Sequence, residues 1–304
     1  MFDIVIPVGP NDTAIIPKQI EYTKNNIIGY RNIYLICFDP TISIDGCITI
    51  NENSFPFNID TVRKYHGNLS RNGWYLQQLL KLYASLVIAD ILERYLVIDS
   101  DIFFLKPTVF INDDNKCLYN FSTENHKPYF EHMLRLDDGM TKVDGNKSGI
   151  CHHMMFEKMY IEELINKIEK THNDKFYNVF LKMVTVVTES GASEYEIYFN
   201  YMLKNHRDKV EIRELNWRNV TCLDNINLQH DYVACHWYER CEIGDKPTPA
   251  TPATPATPAT PATPATPATP AIPAIPAHAP VVKSNAHVMH SIKSRHAKMK
   301  MHFK

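Results

Sequence analysis

The chain has 304 residues, 44% of them hydrophobic, which is enough to bury a core in one large domain or two small ones. Its formal charge of −2 averages two unlike parts: all 34 acidic residues precede Lys246, while six of the 32 Lys and Arg lie in His278–Lys304, so the body carries about −8. That balance argues against the basic face of a nucleic-acid binder, and no run approaches 18 consecutive apolar residues, so no membrane span is expected.

In chain order, Met1-Phe-Asp-Ile-Val-Ile-Pro lacks the basic start and long apolar stretch of a signal peptide. Phe2 to Val8 reads instead as a buried strand that ends in a loop at Gly9-Pro10. A helix is expected near Pro17 to Asn25, a strand from Asn32 to Phe38 and a short one from Cys47 to Ile50. From Gly73 to Leu92 apolar residues recur at helical spacing, followed by a buried-type strand, Tyr95 to Ile98, that runs into Asp99-Ser100-Asp101. Ile102 to Leu105 continues extended. Beyond lie extended pieces near Leu118 to Ser122 and Ile150 to Met155, then helices near Phe156 to Lys170, Lys175 to Val187 and Ser193 to Asn205. Short strands from Val210 to Leu215 and Tyr232 to His236 close the folded part.

Strands alternating with helices predict an α/β fold with a mostly parallel sheet, and in such sheets ligands bind beyond the carboxyl ends of the strands. The second half reads as an acceptor-side subdomain on the same sheet. The seven Cys are scattered, odd in number and without a Cys-x-x-Cys pair, as expected for small buried residues in a reducing compartment. A soluble, cytoplasmic protein is the expectation.

The folded domain is expected over 1–245. Residues 246–277 hold eight copies of Thr-Pro-Ala and two of Ile-Pro-Ala, and proline at every third position forbids helix and ladder alike. A polyproline II stalk of about 90 Å, at about 3.1 Å per residue, is the expected form. Residues 278–304 are basic, His-rich and too polar to build a core, so they read as a solvated tail or a tether to an anionic surface.

The chemistry is read from Tyr95-Leu-Val-Ile-Asp-Ser-Asp. An apolar strand there delivers two carboxylates, two residues apart, to one side of the chain at its exit from the core. Hard oxygen donors of this kind suit magnesium or manganese and leave coordination sites for phosphate oxygens. The bland alternative is a strand-end loop whose Asp residues cap amides. Gln77 and Lys81, four apart on the helix, and Arg71 before it could face the same strand end and meet a diphosphate, although Lys81 taken alone better suits a surface lysine. His236 either completes the metal shell or packs beside Trp237. Ser193-Glu194-Tyr195-Glu196 has the form of a capping box, with Glu194 free to act as a base; His152-His153 lines a cavity or belongs to a core or loop.

Taken together, Arg71-x-Gly73-Trp74-Tyr75-x-Gln77-Gln78-x-x-Lys81-Leu82, Asp99-Ser-Asp101, His153-x-Met155-x-Phe, Ser193-Glu194-Tyr195-Glu196 and His236-Trp237 resemble, in order, the pattern of the DUF6492 family. That family includes glycosyltransferase-like chains of bacteria and giant viruses. The stretch from Lys81 to Asp101 also resembles glycosyltransferase family 8. The resemblance spans roughly residues 2 to 240 and leaves out the stalk and tail. It implies a GT-A-like fold, a nucleoside-diphosphate sugar donor, UDP-linked by preference, a glycan or protein acceptor, and Mn2+ or Mg2+. It further implies that Asp99, Asp101 and His236 hold the metal, with Asp101 also catalytic, and that Asp99, Ser100, Arg71, Gln77 and Lys81 meet the donor's diphosphate or sugar. Pro7, Val8 and Asp39 fall where that fold places the nucleoside. Glu194 is the candidate base, with Asp137, Asp138 and Asp144 as rivals. If the viral likeness extends to source, the location is a host cytoplasm or the virion.

The leading expectation is therefore transfer of a hexose or deoxyhexose to an acceptor hydroxyl. Two other classes stay open: a haloacid-dehalogenase-like phosphohydrolase, in which an Asp-x-Asp normally ends the first strand, and a non-catalytic coat protein with a degenerate transferase body.

Overall fold

A computed structural model describes residues 1–223 and 229–241, and all of these fall in one unit, Met1–Pro247. The expected proline-rich stalk (246–277) and basic tail (278–304) lie outside the described residues.

The elements run in the order β1 (Phe2–Val8), α1 (Ile16–Asn26), β2 (Ile27–Ile28), β3 (Tyr30–Cys37), β4 (Ile48–Asn51), α2 (Ile59–His66), α3 (Asn72–Val87), β5 (Arg94–Ile98), β6 (Ile102–Phe104), β7 (Thr108–Val109), β8 (Cys117–Tyr119), α4 (Lys127–Leu136), β9 (His153–Glu157), α5 (Lys158–His172), α6 (Phe176–Lys182), α7 (Glu194–Asn205), β10 (Val210–Ile212), β11 (Trp217–Asn219) and β12 (Tyr232–Ala234). Five strands form the main sheet in the order β4-β3-β1-β5-β9, all parallel except the β5/β9 pair.

β1 lies between β3 and β5, which explains why all seven of its residues are apolar or paired and why every one is buried. Its one charge, Asp3, is fully enclosed. It accepts from Arg31 at 2.7 and 3.0 Å and from the amides of Asn32 and Leu92, so a carboxylate that would be costly alone is satisfied at the amino-terminal edge of the sheet. α3 packs on β1, with α2, α5 and α7 on its other contacts. That sandwiching accounts for a helix buried on most of its circumference rather than along one stripe.

The chain visits β1, β3 and β4 on one side of the sheet and then returns to place β5 on the other side of β1. Strand order therefore reverses between β1 and β5, and the carboxyl ends of these strands, Val8 and Ile98, mark the place where such sheets bind ligands. Among the second-half strands only β9 joins this sheet; β8 pairs with β10, and β12 pairs with both β11 and β6 in small sheets of their own. The expectation of a second half built on the main sheet thus holds for β9 alone. No disulfide joins the seven Cys, all of them described, and among the described residues no helix is long and apolar enough to cross a membrane.

Candidate active site

One turn and two strand pairings bring the site together. β5 ends at Ile98, and Asp99 to Ile102 then forms a tight turn closed by Ile102 N donating to Asp99 O at 3.2 Å, after which the chain enters β6. β9 pairs antiparallel with β5, Ile98 opposite His153, so the preceding residue His152 meets Asp99: the Asp99 amide donates to His152 O at 2.9 Å. β12 pairs antiparallel with β6, Ala234 opposite Ile102, and Cys235 N donates to Asp101 O at 2.9 Å. That register carries His236 to Asp101, with Nδ1 2.9 Å from Oδ2. Asp99, Asp101, His152 and His236 thus come from three strands, and the register of each pair sets which residue arrives.

His152 has φ of 62°, a left-handed conformation that costs a residue with a Cβ and that tends to persist at functional sites. Its ring lies 5.0 Å from Trp217 and 5.2 Å from His236, and Nδ1 approaches Asp99 Oδ2 at 3.5 Å. His153 alternates to the other face, buried against Phe104, Phe110 and Tyr232 at 4.9–5.5 Å. Burial pushes its imidazole down to about 3, so it is a neutral core residue. Of the two open readings of this His pair, strand alternation gives the site to one and the core to the other.

Lys81 is 2% exposed and not a surface lysine. Its Nζ donates to Asp99 Oδ1 at 2.5 Å and to Glu194 Oε1 at 2.6 Å, and it sits over the Tyr195 ring. The Tyr195 hydroxyl donates to the same Asp99 oxygen at 2.9 Å. Burial alone would push Lys81 down and Asp99 up, but the ion pair outweighs it: Lys81 is held above its ordinary value, and Asp99, with His152 adding to Lys81, well below. Glu194 goes the other way, raised by burial with Lys81 opposing and Asp99 adding. Burial would lower His236, but Asp101 holds it up.

The remaining expected residues divide. Ser193 caps α7 through Glu196 N, yet the reciprocal bond of a capping box is replaced: the Glu196 carboxylate takes Ser148 Oγ and Asn200 Nδ2 instead. Ser100 is buried and its hydroxyl is spent on Asp12 Oδ2 at 2.6 Å. Pro7 and Val8 end β1 as expected, and Asp39 lies just past β3 with Oδ1 engaged by the Thr41 amide and hydroxyl. Arg71 is exposed before α3 with its guanidinium over Trp74, and Gln77 is half-buried. The rival acids stand elsewhere: Asp137 holds Gly139 N and Lys167, Asp144 holds Asn146 N and Lys147, and Asp138 is exposed.

Two residues that the sequence reading passed over complete the cluster. Asp12, in the loop after β1, accepts from Arg240 Nη2 at 2.6 Å as well as from Ser100. Burial and the Asp101 charge hold its carboxyl above the ordinary value. An acid just beyond the first parallel strand was the available signal for Asp12; Arg240, four residues past His236, follows no spacing rule.

Asp12, Asp99, Asp101 and Glu194 set four carboxylates against two fixed cations, Lys81 and Arg240. Among the described residues no bond uses Asp101 Oδ1, and Asp99 Oδ2 meets only His152 at 3.5 Å. These two hard oxygens fit a divalent cation. Among the described residues no three His, Cys, Asp or Glu side chains stand together as a ready ligand set. The His236 nitrogen facing Asp101 is committed to it, which leaves Nε2. Such a donor set matches the way magnesium-like ions bind, through one or two carboxylates completed by substrate phosphate and water, rather than in an all-protein cage. Two surface hollows of about 590 Å³ share no lining residue with this cluster; Phe121, Asp144, Lys147 and Arg207 line one, and Arg94, Glu157 and Lys209 help line the other.

A family model described as "Family of unknown function (DUF6492)" matches residues 47–240. No curated protein matches the chain. Among solved structures, the crystal structure of an active-site mutant of LgtC is similar at 11% identity with a TM-score of 0.36, over 63% of this chain and 71% of that one.

Proposed function

For a chain that belongs to the DUF6492 family, we propose a GT-A-like glycosyltransferase that moves a hexose or deoxyhexose from a nucleoside diphosphate, UDP by preference, to a hydroxyl of a glycan or protein. One observation carries the reading. At the point where strand order reverses, Asp101 keeps Oδ1 without a bond and Asp99 keeps Oδ2 met only by His152 at 3.5 Å, while the other oxygens are fixed by His236 and by Lys81 with Tyr195.

The chemistry supplied by bound Mn2+ or Mg2+ is neutralisation of the charge on the departing diphosphate. The chain's own residues prepare that site. Lys81 and Tyr195 lock the Asp99 side chain, so its second oxygen is presented without a search among rotamers. His236, donating from Nδ1, does the same for Asp101 and leaves Nε2 as its remaining donor atom. Pro7, Val8 and Asp39, at the ends of β1 and β3, are the nucleoside side of the site, and Arg71 and Gln77 are the groups assigned to donor phosphate or sugar. Ser100, also assigned to the donor, supports the turn as well, its hydroxyl donating to Asp12.

Glu194 keeps the base assignment with a condition. It is 3% exposed and bonded to Lys81, so in this conformation it holds Lys81 against Asp99. Accepting a proton from an acceptor hydroxyl requires that contact to open, and a carboxyl held above its ordinary value suits that task once freed.

The test is a thermal-shift panel of nucleoside diphosphates and their sugars, each with and without manganese. Ligand at a hundredfold excess over its Kd stabilises by about 2.7 kcal/mol, or about 5–10 °C for a domain of this size, and the rise appears only where nucleotide and cation are both present. Asp101→Asn removes the joint rise and leaves the unliganded melting point within about 3 °C. A rise that survives in Asp101→Asn takes Asp101 out of the site.

A further inference from the structure

Asp12 is not among the residues assigned above to donor, metal or acceptor, yet its carboxylate joins three site-bearing segments. Oδ2 accepts from Ser100 Oγ, inside the Asp99-Ser100-Asp101 turn, at 2.6 Å. Oδ1 accepts from Arg240 Nη2 at 2.6 Å. The rest of Arg240 closes the arrangement: Nη1 donates to Asn11 O at 3.0 Å and Nε to Cys235 O at 2.7 Å, the carbonyl next to His236. Asp12 lies in the loop after β1, Ser100 between the two proposed cation-binding acids, and Arg240 in the loop that carries His236. The Asp12 and Arg240 side chains are 15% and 13% exposed, so these bonds are made largely out of water, where a charge-assisted hydrogen bond is strong and an unmade one costly.

We propose that Asp12 is a positioning residue that fixes the relative placement of the Asp99–Asp101 turn and the His236 loop, and so sets cation and diphosphate affinity without touching either ligand. The β6/β12 ladder ties the turn to the His236 loop only as far as the Cys235 amide on Asp101 O; beyond that bond the loop meets the turn through side chains, His236 on Asp101 and Arg240 by way of Asp12 on Ser100. β12 is only three residues long and the loop beyond it has little ladder of its own. A carboxylate with two oxygens can take one donor from each loop, whereas a hydroxyl or an amide supplies only part of that. The neighbouring Asp101 charge works against an ionised Asp12, and Arg240 is the cation that offsets it. Outer groups that orient metal ligands typically cost about 10–100-fold in metal affinity when removed.

This inference rests on the transferase reading for its ligands, so the experiment has one arm that does not. In the unliganded full chain, hydrogen exchange is followed for peptides that carry 99–102 and 236–241 in wild type, Asp12→Asn, Asp12→Ala and Ser100→Ala. Faster exchange in both segments for the Asp12 variants, and mainly in the first for Ser100→Ala, is expected. Unchanged exchange at either segment in Asp12→Asn overturns the proposal. In the second arm, Mn2+ affinity is titrated in the presence of UDP. A loss of about 10–100-fold is expected for Asp12→Ala, with the Asp12→Ala/Ser100→Ala double variant no weaker than Asp12→Ala alone, because both act along one path. Additive losses, or a wild-type affinity in Asp12→Ala, overturn it. Should Asp12→Ala fail to fold, Asp12→Asn with Ser100→Ala gives the same two readings. A wild-type chain with no joint Mn2+ and UDP binding sinks the transferase reading instead, and the exchange arm alone then decides whether Asp12 ties the loops.

Discussion

Lys81 places one ammonium between two carboxylates, Asp99 and Glu194, with all three largely or wholly removed from water. Replacing it with Met keeps most of the volume and strands both acids, and loss of one member of a buried ionic group costs about 3–5 kcal/mol. The pH dependence separates this from a packing defect. Asp99 is held below its ordinary value in the folded chain, so its stabilisation is present above the unfolded carboxylate range and is lost as pH falls through the lowered value. Without Lys81, burial dominates and both carboxyls rise above their unfolded values, so the folded variant binds more protons and gains relative stability on acidification. The stability gap between wild type and Lys81→Met, measured by denaturant unfolding from pH 8 to pH 4, therefore narrows toward pH 4; a gap independent of pH would place the cost in packing. A second residue-scale outcome concerns His236. Asp101 holds its imidazole above the ordinary value against burial, so Asp101→Asn moves the His236 titration downward by imidazole NMR. No movement would mean that the carboxylate is not its partner in solution.

At the scale of elements, the N-terminal end of α7 presses on the loop that delivers His152. A Cβ at Gly149 would stand 2.6 Å from Phe199 Cβ and 2.7 Å from the Tyr195 carbonyl, and neither is the yielding tip of a long side chain. Gly149→Ala is expected to lower stability by about 1–3 kcal/mol and, by moving Tyr195 and His152 away from Asp99, to weaken UDP binding as well. Thermal unfolding and nucleotide titration on the same variant check both effects. The elements legible in the sequence are those whose pattern is set locally: β1, β3 and β5 are mostly apolar because each has a strand on both sides in the main sheet, and α3, α5 and α7 show helical spacing over 12 to 16 residues. α2 and α4 carry weaker local signals. The first is only eight residues long, although Asn58 and Thr61 form its capping box, and the second opens with Pro128 after a polar stretch. The site was legible where chemistry is carried by one segment, as in Asp99-Ser100-Asp101. It was not legible where it depends on register between distant strands. Nothing local distinguishes His152 from His153, or marks Arg240 as the partner of an acid 228 positions earlier.

Over the whole molecule, the charges that matter for the proposed activity lie within the described residues, while six of the 32 basic residues and none of the 34 acidic ones lie in 248–304. A chain ending at Pro247 is therefore more acidic, at about −8, and keeps every residue assigned to the site. Its melting point and its joint response to UDP and manganese are expected to match those of the full chain, by thermal shift at physiological salt. Loss of the joint response would assign a part in binding to the repeats or the basic tail. The central claim is that Asp99 and Asp101 each offer one oxygen, Oδ2 and Oδ1, to a cation which the diphosphate then completes. Calorimetric titration of UDP into the full chain, with and without Mn2+, tests it most directly, because linkage requires each ligand to tighten the other by the same factor. The account predicts measurable UDP binding only with the ion, and Mn2+ binding strengthened equally by UDP. UDP binding that is the same with and without the ion, or absent in both, would contradict it.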